Sequence, residues 1–282
     1  MDIANLSGKT VLVTGAASGI GKETALAFAR RGANLIICDR NDAGLAETAA
    51  RIQSLGRDVI SRRVDVANRD EMGAFAATVH AQIPAVDILM NNAGVALGAT
   101  FCDTGLEDWD WILGINLLGV IHGCHFFIPA MVARGRGGHV INTASTAAFA
   151  ASTAMAAYGT TKFAVLGLSE ALRDELARHH IGVTAICPGV INTPIVDTAV
   201  LRGAMATPKA RQFIGDTFRR RNYGPERVAQ NVLKAVQRNR AVAPISPEAW
   251  LTYYLKRLWP GAVRWLGRYA ADRTERELGV TL

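Results

Sequence analysis

Half of the 282 residues are apolar, enough to bury a sizeable core without cross-links, which argues against a disordered chain or a disulfide-stapled small domain. The net charge of +7 is uneven: residues 201–282 carry 16 Lys/Arg against 6 Asp/Glu, and the first 200 carry 15 against 18. That asymmetry points to an anionic partner for the C-terminal third, but no basic run is interleaved with aromatics on a nucleic-acid-binding motif, so nucleic acid is not the expected partner.

In chain order, residues 1–9 contain no apolar signal core, and no run of about 18 apolar residues follows. A cytoplasmic location is the expectation. Short β-branched runs at 10–14, 34–38, 59–64, 88–91, 139–142 and 183–186 read as strands. Between them, residues 21–31, 42–55, 70–82, 106–131 and 157–178 have helical length and spacing. Such alternation implies right-handed βαβ units and a doubly wound parallel sheet with helices on both faces, an α/β fold. Residues 190–224 read as irregular, ahead of a helix at 225–237 and a short strand at 241–244. Ser246-Pro247-Glu248 then opens another helix well: a capping serine, proline in the first turn, and an acid at the positive end. No linker or repeat interrupts the chain, so one domain over 1–282 is expected, with an amphipathic helical tail at about 246–282. Cys38, Cys102, Cys124 and Cys187 form no CxxC pair and no His/Cys cluster has metal-ligand spacing, so free thiols and no metal are expected.

The first strand runs into Thr14-Gly15-Ala16-Ala17-Ser18-Gly19-Ile20-Gly21 and then a helix. Glycine there permits a tight turn and close backbone approach, and a helix N-terminus offers free N–H groups to a pyrophosphate. The spacing is GxxxGxG rather than GxGxxG. Asp39, just past the second strand, can accept hydrogen bonds from both adenosine-ribose hydroxyls and would repel a 2′-phosphate. Arg40 beside it would attract one. With Ala17 supplying no basic group in the glycine turn, NAD is the expected cofactor and NADP the alternative. Asp65-Val66 and Asn91-Asn92-Ala93-Gly94 follow the third and fourth strands, where a doubly wound sheet binds ligands. Asp65 can accept from an adenine amino group, and the small Ala93 and Gly94 let a ribose approach the backbone.

Tyr158 and Lys162 lie one helical turn apart and share a face. A free tyrosine titrates near about 10, and a nearby ammonium stabilises its phenolate. The expectation is therefore that Lys162 acidifies Tyr158 for general acid–base work. Ser145 ends Thr143-Ala144-Ser145 directly after the fifth strand, where its hydroxyl can hold a substrate oxygen. Asn116 falls in the long helix before that strand.

Taken together, Thr14 to Gly21, Asn91 to Gly94, Asn116, Ser145, Tyr158-x-x-x-Lys162 and Pro188-Gly189 through Thr193 resemble the short-chain dehydrogenase/reductase family over about residues 6–245. The resemblance implies a seven-stranded Rossmann-type sheet and Tyr158 as proton donor and acceptor. It implies Lys162 both lowering the tyrosine pKa and holding the nicotinamide ribose, Ser145 orienting the carbonyl, and Asn116 holding a water in a proton relay. Pro188, Gly189, Ile191 and Thr193 would contact the nicotinamide end. The expected reaction is hydride transfer between the cofactor and a hydrophobic secondary alcohol or ketone. The alternatives are a cofactor-retaining epimerase or dehydratase, whose relatives carry a substrate domain absent here, and a non-catalytic dinucleotide-binding regulator, which has no need of an intact Ser/Tyr/Lys set.

The chain departs from many family members at its end, which lacks their Gly-Gly segment and resembles the tails of steroid and retinoid dehydrogenases. Val190, Ile191, Ile195, Val196, Leu201, Met205 and Phe213, with Phe149, Ala150 and Ala151, predict an apolar pocket and a small lipophilic substrate. The tail's apolar stripe, flanked by Lys256, Arg257, Arg264 and Arg268, has three explanations: a homo-oligomer contact that also roofs the pocket, an anionic membrane surface, or the domain's own core. The first, in a soluble dimer or tetramer, is the expectation.

Overall fold

A computed structural model describes residues 5–280 except Ala151. Seven parallel strands form one sheet: β1 (Thr10–Thr14), β2 (Asn34–Asp39), β3 (Val59–Arg63), β4 (Ile88–Asn91), β6 (Gly138–Thr143), β7 (Ile181–Cys187) and β9 (Val242–Pro244), in the order β3-β2-β1-β4-β6-β7-β9. Two short strands, β5 (Leu97–Gly98) and β8 (Val200–Leu201), pair in parallel outside it. The doubly wound α/β expectation is borne out. Chain direction across the sheet reverses between β1 and β4, and that switch point opens the crevice at the strands' carboxyl ends.

Apart from the edge strand β3, which is partly exposed, the strands are buried on both faces, and the period of two divides their side chains between two cores. Val11, Val13, Leu35 and Ile37 face helices α1 (Gly19–Ala29), α2 (Asp42–Ser54) and α8 (Pro225–Gln237). Leu12, Ile36, Leu89 and Val140 face α3 (Arg69–His80), α5 (Gly119–Arg134) and α6 (Ala156–Leu176). Helix starts follow local chemistry. Asn41 caps α2 by accepting from the Gly44 N–H, and Asn68 caps α3 by accepting from Asp70 and Glu71, both acids at the positive helix end.

Two expectations need correction. The single helix expected over 106–131 is α4 (Leu106–Leu113), a π-helical turn (Gly114–Leu118) and α5. By length and composition the whole run could cross a membrane, but half of its most apolar window is buried inside the fold. The stretch 190–224 is not all irregular: it contains α7 (Pro208–Arg221), whose cap Thr207 accepts from the Ala210 N–H ahead of a first-turn proline. Its polar composition hides a helix whose inward side is limited to a few residues, Ala210, Phe213, Ile214, Gly215 and Phe218 among them. The tail forms α9 (Pro247–Leu258) and α10 (Pro260–Leu278), parted at Trp259.

His139 shows how polar groups are fitted into this interior. Its Nε2 lies 2.8 Å from the Thr184 hydroxyl, which donates its own proton to the Arg240 carbonyl at 2.6 Å. The hydroxyl can therefore only accept, and the buried ring is neutral with its proton on Nε2. Burial pulls its pKa down to about 3. Between pH 6.5 and about 3 the unfolded chain binds a proton that the folded chain refuses, so stability falls as pH drops through that window. Urea titrations of the wild type and His139→Gln should show the loss, on the order of a few kcal/mol, flattened in the variant.

Candidate active site

The crevice is a cavity of about 810 Å³ running from Asp39 and Arg40 at one end to α7 and α10 at the other. Every candidate cofactor and catalytic residue lines it except Gly21 and Asn116. Gly15 and Gly19 have φ of +68° and +53°, a left-handed backbone that glycine adopts without strain. Gly21 serves by packing, since a Cβ there would strike the Gly15 carbonyl. Ser18 is the N-cap of α1 yet makes no side-chain cap bond, and no acid sits in that helix's first turn. The start of α1 is thus a set of N–H groups with positive potential facing the crevice.

Two interactions hold this turn. The Thr14 hydroxyl accepts from the backbone N–H groups of Asn92 and Ala93, at 2.9 and 3.1 Å. The Asn92 amide donates back to the carbonyls of Thr14 and Gly15. The Asp39 carboxylate accepts from Ala17 N–H at 3.0 Å and Asn41 N–H at 2.9 Å, which aims it at the glycine turn, while Arg40 is exposed. Asp65 accepts from Ala67 N–H at 2.9 Å beside Val66, whose carbonyl binds His122. Thr14 and Asn92 therefore weld the β1 turn to the β4 turn; the sequence reading singled out neither role, though a threonine directly before the first glycine was a signal.

At the chemical end, Ser145 caps a short 3₁₀ turn by accepting from Ala147 N–H at 3.1 Å, which leaves its own proton free to donate. The Ser145 hydroxyl lies close enough to Tyr158 to favour its ionised form. Burial pushes the Tyr158 hydroxyl above its usual 10, and Ser145 offsets this only in part. The expected acidification by Lys162 does not appear. Nζ of Lys162 donates to the Thr143 carbonyl at 2.9 Å and stands 5.6 Å from the Tyr158 ring centroid, over its face rather than at its oxygen. Burial lowers the Lys162 pKa to about 8. Asn116, fully buried in the π-helical turn, accepts from Val95 N–H at 2.8 Å and donates to the Val95 carbonyl and to Thr161. Its side chain abuts Gly94, where a Cβ would meet Asn116 Oδ1 at 3.2 Å and Lys162 Nζ at 3.6 Å.

Pro188, Gly189, Ile191 and Thr193 close the adjoining wall. The Pro188 carbonyl accepts from both the backbone and the hydroxyl of Thr146. Glu248, which sequence reasoning passed over as a mere helix-start acid, accepts from Val190 N–H at 3.2 Å and from Arg221 of α7 at 2.7 Å. Burial works to raise its pKa, but the Arg221 bond and its other donors outweigh that and hold the carboxyl below the usual range. Nothing in the spacing could have shown this, because the partners are 58 and 27 residues away. Among the apolar pocket candidates, Phe149 is instead a core residue against Tyr253, with ring centroids 5.1 Å apart, and Ala151 lies outside the described residues.

A family model described as short chain dehydrogenase matches residues 9–202. The chain belongs to that family. It is 41% identical over 258 residues to EphD of Mycobacterium tuberculosis, named as an oxidoreductase; the match covers 90% of this chain and 44% of that one, so the chain spans less than half the length of that relative. It is 34% identical over 260 residues to SadH of the same species, likewise named as an oxidoreductase, with 91% and 92% of the two chains covered. A crystal structure of a short-chain dehydrogenase/reductase from Burkholderia phymatum in complex with NAD superposes with a TM-score of 0.79 at 29% identity, covering 90% of this chain and 94% of the other.

The buried lysine of this dehydrogenase has a measurable signature. Its proton leaves at about pH 8 in the folded chain and at 10.5 in the unfolded one, so between those values the unfolded chain holds the extra proton and stability rises with pH. The stability difference between wild type and Lys162→Met should therefore shift in favour of the wild type from about pH 8 to pH 10. A pH-independent difference in urea unfolding would contradict the burial of the ammonium.

Proposed function

We propose that this short-chain dehydrogenase moves a hydride between NAD and a hydrophobic secondary alcohol or its ketone, with Tyr158 carrying the proton. The observation that carries the reading is that Ser145, Tyr158 and the Lys162 ammonium line one end of a single cavity whose other end holds Asp39. The residues present fit a dinucleotide: the turn at Gly15, Ser18, Gly19 and Ile20 lines the cavity with two of its four positions bare of a Cβ, and Gly94 presents bare backbone beside Lys162. The glycine turn and α1 would take the pyrophosphate, Asp39 the adenosine ribose, Asp65 and Val66 the adenine. Asn92, Ala93 and Gly94, with Lys162, would bind the nicotinamide ribose, and Pro188, Gly189, Ile191 and Thr193 the nicotinamide. The bound dinucleotide supplies or accepts the hydride and, when oxidised, brings a positive ring to this end of the cavity.

In the reducing direction, Ser145 donates its free proton to the substrate carbonyl oxygen and fixes it beside Tyr158. The Tyr158 hydroxyl then gives its proton to that oxygen as hydride reaches the carbon. In the oxidising direction the Tyr158 oxygen, once its own proton has passed to solvent, accepts the alcohol proton as hydride leaves the carbon. Lys162, with one donor spent on Thr143, has two left for the ribose and for returning a proton to Tyr158. Both Asn116 amide protons are engaged, so its side chain would meet a relay water through the remaining lone pair of Oδ1. Beyond the chemistry the walls are apolar, with Val196, Leu201, Met205, Phe213 and Ile214 supporting a lipophilic substrate. Exposed Leu118, Ile121 and Phe163 support a homo-oligomer formed through α5 and α6.

Tyr158→Phe should lower turnover by at least about a hundredfold while leaving NAD affinity nearly unchanged. Reduced-nicotinamide absorbance against a panel of secondary alcohols measures the first, and fluorescence titration the second; turnover within a few-fold of wild type would remove Tyr158 from the chemistry. The anchored Asp39 carboxylate should also give NAD at least about a tenfold advantage over NADP in kcat/KM, by repulsion of a 2′-phosphate. An NADP advantage would mean that the exposed Arg40 governs the choice.

A further inference from the structure

Helix α10 carries two apolar faces. At 3.6 residues per turn, Gly267, Ala270, Ala271 and Thr274 fall on one side, and all four line the cavity. Trp265, Leu266 and Tyr269 fall on the opposite side and are exposed by 65%, 43% and 53%. Their exposure continues onto α9 through Leu251, Tyr254, Leu258 and Trp259, with Leu258 at 82%. Residues 249–271 also include four cations, Lys256, Arg257, Arg264 and Arg268, all exposed, and no acid. Past Ala271 the pattern ends, and acids and bases mix, as in the Arg273–Glu277 pair.

We propose that the outer face of α9 and α10 docks on an anionic lipid surface. Three features select that occupant. Exposed tryptophan and tyrosine, as in the stacked Trp265–Tyr269 pair with centroids 5.9 Å apart, suit the boundary between headgroups and acyl chains, where an apolar ring and a polar edge are both satisfied. Cations flanking an apolar stripe are the pattern of helices that lie in the plane of an interface. Lys256 and Arg257 stand over the rings of Phe163 and Tyr253 of the same chain, but a second copy meeting this face by two-fold symmetry would still bring Arg264 and Arg268 toward their own copies with no acid in residues 249–271 to offset them, and like charges at close range oppose such a contact. The oligomer expected from the sequence for this face therefore gives way to the lipid surface. Docking there places lipid on one side of α10 and the substrate cavity on the other, separated by the diameter of one helix, about 10 Å. The docking itself does not depend on the redox reading.

The experiment is co-sedimentation of the full chain with vesicles of phosphatidylcholine alone and of phosphatidylcholine with phosphatidylglycerol. The chain should pellet with the anionic vesicles, stay in solution with the neutral ones, and be released by high salt. Arg264→Glu with Arg268→Glu should weaken the partition at least about tenfold. Leu258→Ser, at the most exposed apolar position of the face, should also weaken it, with turnover of a small soluble alcohol unchanged in both variants. Absence of anionic-vesicle binding, equal binding to neutral vesicles, or full binding by the charge-reversed variant would overturn the proposal. So would a change in oligomeric mass, by light scattering, in either variant, since that would assign the face to a second copy.

Discussion

The chemical end of this molecule depends on keeping one ammonium out of water. Lys162 is almost wholly buried, and an isolated charge there would be costly; the Thr143 carbonyl at the end of β6 is what makes it tolerable. That single bond sets demands on the rest of the fold. It needs β6 to end at Thr143 in register with β4 and β7. It needs α6 to present Lys162 one turn after Tyr158. It needs the space beside the ammonium kept narrow, which Gly94 and the pinned Asn116 side chain achieve from the neighbouring loop and the π-helical turn. A pKa near 8 then leaves Lys162 charged at neutral pH yet close to exchange.

The same burial acts in the opposite sense on Tyr158, whose hydroxyl is held in its protonated form more firmly than in water. Chain residues alone therefore do not prepare a phenolate. They prepare a protonated acid, oriented by Ser145, beside an ammonium placed over the ring. A bound oxidised nicotinamide would bring a further positive charge to this end of the cavity and so would favour the phenolate, coupling activation of the tyrosine to binding of the dinucleotide.

Much of this was legible in the sequence. The strand–glycine–helix junction at Thr14 to Gly21 and the helical spacing of Tyr158 and Lys162 are local patterns, and local patterns survive translation into structure. The alternation of strands and helices announced the parallel, doubly wound sheet, though not the order of its strands. What stayed hidden is long-range or context-dependent. The union of Glu248 with Val190 and Arg221 joins segments that no spacing relates. The π-helical turn at Gly114–Leu118 has the same apolar periodicity as the helices it interrupts. The sign of the Tyr158 shift turned on burial, which outweighs a cation standing over the ring instead of at the oxygen. Helix α7 escaped notice because most of its face is solvated, although Thr207-Pro208 marked its start.

The folded chain by itself holds Tyr158 protonated, and bound oxidised dinucleotide would release it. Ultraviolet difference titration of tyrosinate, wild type minus Tyr158→Phe, tests this directly. Without dinucleotide the Tyr158 signal should be absent up to pH 10, and saturating NAD should bring it to lower pH. A tyrosinate appearing near neutral pH in the free protein would show that Lys162 alone acidifies the phenol and would contradict the account.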